Sequence, residues 1–398
     1  MPKSIWILLI TMTMSITGAS FMWPLNAIII HEELGKSLTV AGFILLLNSA
    51  AGACGNLVGG RLFDGIGSYR TLIIALSIAT GSACLLAFQY SFYYYMFLLM
   101  GIGFGSGMMI PTLYALAGLL WPEGGRRPFN AMYVSLNVGV ALGTALIGII
   151  AQNELTNVFR ANALMHVVLF IFVIFAFRGL EARGAMTQGK EIREKIPFRV
   201  HYRIHALILI SIAFVICWMG YTQWQANVSV HTQNLGISLG SYSLFWTVNG
   251  LMIVCAQPML AWVIRKWIQK LKAQMIVGVL LFALSFLVLT QAEQFSIFMV
   301  AMIILTIGEM FIWPAVPTVA SELAPKGREG FYQGLVNSVA MVGRMIGPVF
   351  GGFIVDMYSI YVLFYVLGGM LILSIPFLVF YDKPLKKQLG QTRQAHKL

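Results

Sequence analysis

Apolar runs of roughly 20 residues, the length that carries an α-helix across about 30 Å of hydrocarbon, recur from one end of this 398-residue chain to the other. A segment in hydrocarbon must satisfy its backbone N–H and C=O groups internally, so these runs predict a bundle of membrane-spanning helices. Twelve spans are read: 5 to 30, 38 to 60, 71 to 90, 93 to 120, 129 to 151, 161 to 179, 204 to 230, 239 to 263, 273 to 291, 296 to 323, 331 to 354 and 359 to 381. A β-barrel would show alternating segments of about ten residues instead of continuous runs. With 59% hydrophobic and 10% charged residues, the chain has too little polar surface for a fold in water. The first span lacks the short apolar region and small-residue cleavage site of a signal peptide, and is read as the first membrane helix.

The net charge of +12 raises the question of nucleic acid, and the position of the charges answers it. With the amino terminus in the cytoplasm, Lys3, Arg61, Arg70, Arg126, Arg127, the cluster Arg178 to Arg203, Arg265 to Lys272, Lys326, Arg328 and the tail Lys383 to Lys397 share one face. Only Lys36 and Arg160 face the other way. This is the positive-inside asymmetry of a multi-pass protein of the cytoplasmic (inner) membrane with both termini in the cytoplasm, and no nucleic-acid partner is expected. Cys54, Cys84, Cys217 and Cys255 lie in apolar spans without CxxC pairing and are read as core thiols.

The segment Glu181 to Arg203, EARGAMTQGKEIREKIPFRVHYR, is the one charged linker and divides the chain six plus six. The expected organisation is a six-helix bundle over 1–180, a cytoplasmic loop over 181–203, a second six-helix bundle over 204–382 and a basic tail over 383–398. The halves repeat. GSGMMIPTLYALAGLLWP (Gly105 to Pro122) and GEMFIWPAVPTVASELAP (Gly308 to Pro325) share a glycine, a proline six residues later and another eleven after that. Both are fourth in their half, and repeated halves around a midplane site are the architecture of secondary transporters. In this register Glu309 falls opposite Ser106, so the shared fold does not demand the acid.

After the second span comes GGRLFDGIGSYRTL, Gly59 to Leu72. It resembles the GxLaDrxGrk loop of the major facilitator superfamily, with Gly60, Leu62, Asp64 and Gly67 in place. Together with the twelve spans, the central loop and the repeat, the resemblance covers the whole chain and implies an all-α fold of two pseudo-symmetric six-helix bundles. It also implies a conformational latch of Gly60, Asp64, Gly67 and Arg70, with the aspartate near the cytoplasmic start of the eleventh span. A carboxylate is favoured beside a helix amino terminus. The family arginine after the aspartate is Gly65 here and the basic pair is Ser68 and Tyr69, so Arg61 or Arg70 must supply the charge, or the loop is only a tight turn. GRMIGPVFGG, Gly343 to Gly352, looks like the GxxxGPxxGG motif of the drug/proton antiporters, but in the eleventh span rather than the fifth. Small residues four apart also serve close helix packing, as does GIGFGSG, Gly101 to Gly107.

Glu309 lies roughly 20 Å along the tenth span, where an ionised side chain costs about 2.5 to 3.5 kcal/mol and must face the bundle interior. Two readings stand. It is a proton-carrying acid of the kind coupled carriers need, as in the resembling multidrug antiporters with a glycine before the acid and a proline after it, like Gly308 and Pro314 here, or it forms a structural ion pair with Arg344 of the next span. Gln223, Trp224 and Asn227 recur at about one helical turn, and with Trp23, Asn26 and Trp313 they are expected to form an aromatic and amide wall between the halves. Such a wall beside one acid suits a lipophilic cation, though Trp23 and Trp224 also fit an interfacial aromatic belt. His31, Glu32 and Glu33 are read as a solvated outer loop. No nucleophile, phosphate loop or metal-ligand cluster appears, so the chain is read as a carrier, not an enzyme. It is expected to export amphipathic or cationic drugs as a monomer, with no cofactor and a proton gradient as energy source. The alternatives are another solute on the same fold, or a non-transporting sensor.

Overall fold

The computed structural model describes all residues except 23–25, 27–28, 31–33, 37, 90, 151–156, 179, 181–201 and 383–398. Trp23, His31, Glu32, Glu33, the basic tail and all but Tyr202 and Arg203 of the central linker therefore lie outside the described residues.

The described chain is helical throughout: α1 Lys3–Met22, α2 Leu38–Ile66, α3 Ser68–Phe88, α4 Phe92–Leu120, α5 Arg127–Ile150, α6 Asn157–Ala176, α7 Tyr202–Gln225, α8 Asn227–Asn234, α9 Leu239–Cys255, α10 Gln257–Lys266, α11 Leu271–Leu289, α12 Phe295–Leu323, α13 Glu329–Met357 and α14 Ile360–Phe380. Among them 11 are long and apolar enough to cross a membrane, or 12 if the bent pair α9 and α10 counts as one span. Two expected spans are broken. The seventh stops at Gln225 and resumes as α8, and the eighth bends by 57° between α9 and α10, where Pro258 withholds a backbone donor.

The helices form two compact units, Met1–Arg193 with Ala324–Met341, and Glu194–Leu323 with Val342–Leu398. In the first, α1 packs on α5 through glycine: a Cβ on Gly139 would meet the Thr13 carbonyl at 2.8 Å, and one on Gly143 would meet that of Thr17 at 2.7 Å. In the second, Gly343, Gly347 and Gly351 of α13 lie against Val215, Met219 and Gln223 of α7 in the same manner. Without a hydrophobic force between helices in lipid, close backbone approach and buried hydrogen bonds supply the cohesion, which is what both glycine stripes do. Hydroxyls such as Thr11, Thr112 and Thr318 donate to the carbonyl four residues back and so enter the bilayer satisfied.

The repeat seen in sequence is repeated in space: α4 and α12 are each 29 residues long and carry Pro111 and Pro314 at corresponding places. The expectation for the cysteines is corrected. Cys217 is buried and Cys84 half-buried, but Cys54 and Cys255 are exposed.

Candidate functional site

Glu309 sits in the middle of α12 and is 2% exposed. From α9 the Asn249 amide Nδ2 donates to Glu309 Oε2 at 2.9 Å and to Thr306 Oγ1 at 2.9 Å. Thr306 in turn donates to the Met302 carbonyl, so the hydroxyl is held in its own helix and presents a lone pair to Asn249. The acid is thereby fixed by a neutral donor in a place where an unsatisfied carboxylate would be costly.

One turn beyond Glu309, Trp313 lies in an aromatic cluster. Its ring centroid is 4.8 Å from Trp218, 5.7 Å from Tyr221, 5.6 Å from Phe214 and 5.4 Å from Phe282. Tyr221 continues the cluster to Trp246 at 5.7 Å, and the Trp246 indole donates to the Tyr242 hydroxyl. Arg344, from α13, places its guanidinium 5.3 Å from the Trp218 ring centre. Tyr221 is within electrostatic reach of both Glu309 and Arg344, so acid, phenol and guanidinium belong to one neighbourhood of the second unit. Gly343, beside Arg344, makes this possible, because a Cβ there would strike the Trp218 Cβ at 2.7 Å.

Of the expected wall residues that are described, Trp313 stands in this cluster, while Gln223, Trp224, Asn227 and Asn26 make their contacts elsewhere. Gln223 is fully buried, donating to the Met219 and Gly347 carbonyls, and accepts from Asn227 at 2.6 Å. Trp224 is fully buried against Phe245. Gln223 and Asn227 share a face and fill a recess that Gly351 opens in α13, and the helix is interrupted between them at Ala226. Asn26, in the first unit, accepts from the Tyr95 hydroxyl at 2.7 Å and is a satisfied buried amide. The partners that sequence reading missed are Asn249, Thr306, Trp218, Tyr221 and Trp246. Asn249 had a readable signal, an amide inside the apolar stretch TVNGLMIVC.

The loop after the second span is also built. Asp64 accepts from the Gly330 and Phe331 backbone N–H groups at 2.8 and 2.9 Å, at the start of α13. Gly60 allows this approach, since a Cβ there would lie 2.3 Å from the Gly330 carbonyl oxygen. Gly67 takes φ 86°, a conformation open to glycine, and turns the chain into α3. Of the two arginines considered, Arg61 lies over the Phe331 ring at 5.7 Å, whereas Arg70 is exposed and makes no ion pair among the described residues.

Membrane-length apolar helices, the matching pair α4 and α12 and an aspartate capping α13 are joined by a direct comparison. The Major Facilitator Superfamily pattern matches residues 8–272 and 226–398. The chain belongs to the major facilitator superfamily. It is similar, at 48% identity over 395 residues and 99% of both chains, to YttB of Bacillus subtilis (strain 168), described as an uncharacterized MFS-type transporter. It is 24% identical to a Na(+), Li(+), K(+)/H(+) antiporter of Planococcus maritimus, covering 84% of this chain and 85% of that one. It is 23% identical to the quinolone resistance protein NorA of Staphylococcus aureus (strain COL), covering 90% and 91%. As a member of the superfamily the protein is a multi-pass membrane transporter of small molecules and not an enzyme.

Proposed function

We propose that the protein exports amphipathic aromatic cations in exchange for protons, by alternating access between two six-helix bundles, 1–180 and 204–382. The observation that carries the reading is a carboxylate, Glu309, buried in the middle of a membrane helix, accepting from the Asn249 amide and lying one turn from the ring cluster around Trp313. A cation entering such a cluster gains apolar burial, ring-face attraction and one neutralising charge. A proton on Glu309 removes that charge, so the two ligands compete and each turn of the cycle exchanges one for the other. Arg344 sets the field in which Glu309 titrates. Asp64, by capping α13, stabilises one of the two access states and is released in the other. The Lys and Arg distribution supports placement in the cytoplasmic membrane with both termini inside.

The test is pH-gradient-driven flux of a fluorescent lipophilic cation in proteoliposomes, with wild type beside Glu309→Gln. Flux in wild type, lost in the variant while the probe still binds, supports the reading. Equal flux in both sinks Glu309 as the coupling acid. The likeness to the Planococcus antiporter favours a second reading, alkali-cation/proton exchange at the same acid. Na+ or K+ gradients that move protons through wild type without any probe would select it.

A further inference from the structure

We propose that α10, with the turn that follows it, is an interfacial anchor that binds anionic phospholipid of the cytoplasmic leaflet. α9 is 17 residues long, which at 1.5 Å per residue gives roughly 25 Å, most of the hydrocarbon thickness. The 57° bend at Ala256 and Pro258 therefore comes where the chain reaches the headgroup level, and α10 turns out of the spanning direction. Its ten residues place one, Leu260, fully in the protein interior. The opposite face is neither core-like nor simply hydrated: Met259 is 64%, Trp262 49% and Trp267 71% exposed, and the two indole rings stand 6.4 Å apart. Tryptophan pairs of this kind settle where apolar and wet regions meet.

The charges on that face complete the site. Arg265 and Lys266 occupy the last turn of α10 and Lys270 follows it, all three exposed. Lys266 sits 5.1 Å from the Trp262 ring centre, so one surface combines an aromatic plane with a cation. Among the described residues none of these three has a carboxylate at ion-pairing distance. The next basic residue, Lys272, is neutralised by Asp382 at 2.7 Å. Three uncompensated cations beside two exposed indoles, on an amphipathic helix at the interface, complement a phosphate headgroup above an acyl chain. An electrostatic gain of roughly fivefold in affinity per basic side chain is the ordinary scale of such contacts.

The experiment measures phospholipid retained by the full-length purified protein, by native mass spectrometry after exchange into mixed phosphatidylglycerol and phosphatidylcholine. Wild type is expected to retain phosphatidylglycerol over phosphatidylcholine. The triple variant Arg265→Gln, Lys266→Gln, Lys270→Gln should lose at least tenfold of that preference, and Trp262→Ala with Trp267→Ala should lower retention of both lipids. A charge-preserving triple, Arg265→Lys, Lys266→Arg, Lys270→Arg, keeps the preference and separates lost charge from lost fold. Excess inorganic phosphate should not displace the lipid, because the indole contacts need the acyl region. A neutralised triple that retains phosphatidylglycerol as wild type does, or displacement by phosphate alone, overturns the proposal.

Discussion

α4 of the first unit and α12 of the second are two copies of one helix put to different use. Each is 29 residues long with a proline in the same register. Each uses one glycine to press against the helix before it: a Cβ on Gly105 would fall 2.5 Å from the Ala75 carbonyl oxygen, and one on Gly308 would fall 2.9 Å from that of Gly278. Beside those glycines stand Ser106 in one and Glu309 in the other. Each copy also faces an asparagine from another helix of its own unit. Asn48 has its Oδ1 buried without a hydrogen-bond partner close to Gly103, while Asn249 serves both Thr306 and Glu309. The packing frame is thus shared, and the charge with its ligand set was added to one copy only. An acid at this depth costs about 2.5 to 3.5 kcal/mol, an expense that packing alone gives no reason to bear.

The comparison breaks most visibly if the acid is moved. Glu309→Ser with Ser106→Glu should bring pH-driven flux to background in the proteoliposome assay, because the aromatic cluster and Arg344 remain in the second unit. Recovered flux would mean that the two copies are interchangeable. The glycines test the shared frame: Gly105→Ala should destabilise by about 2 to 3 kcal/mol in detergent melting, since backbone atoms of Ala75 and Ala79 cannot retreat. Gly308→Ala should cost less, about 1 to 2 kcal/mol, because its backbone neighbour, the Gly278 oxygen, lies 2.9 Å from the added Cβ against 2.5 Å for the Ala75 oxygen at Gly105. Asparagine separates the two uses more finely. Asn249→Leu should cost about 2 kcal/mol by leaving Glu309 with a lost donor, whereas Asn48→Leu should change stability by less than about 0.5 kcal/mol. At the latch, Asp64→Asn should lower stability by about 1 kcal/mol, and the smallest effect is expected for Arg70→Gln, which leaves it unchanged.

Much of this was legible in advance, and the failures have local causes. The spans follow from length and apolarity, so their limits in the structure differ by a few residues at most ends. Glu309 was legible because a carboxylate in a long apolar run has no cheap bland explanation. Its partners were not, since Asn249 is 60 positions away and nothing in a single sequence joins them. Gln223, Trp224 and Asn227 show a different limit of one sequence. Helical spacing put them on one face, but it could not say which face meets another helix.

The sequence by itself determined that this is a helical membrane protein, that its two halves repeat and that one deep acid distinguishes them. Those properties are one-dimensional, because hydrocarbon thickness sets the length of each span and backbone satisfaction sets its conformation. Tertiary structure alone decided that Asn249 holds Glu309, that Trp218 and Tyr221 rather than Gln223 and Trp224 surround Trp313, and that α9 and α10 part at a bend. Side-chain partnership depends on how helices rotate about their axes. In lipid that rotation is set by where glycines let backbones approach, a property of pairs of helices that no single stretch of sequence contains.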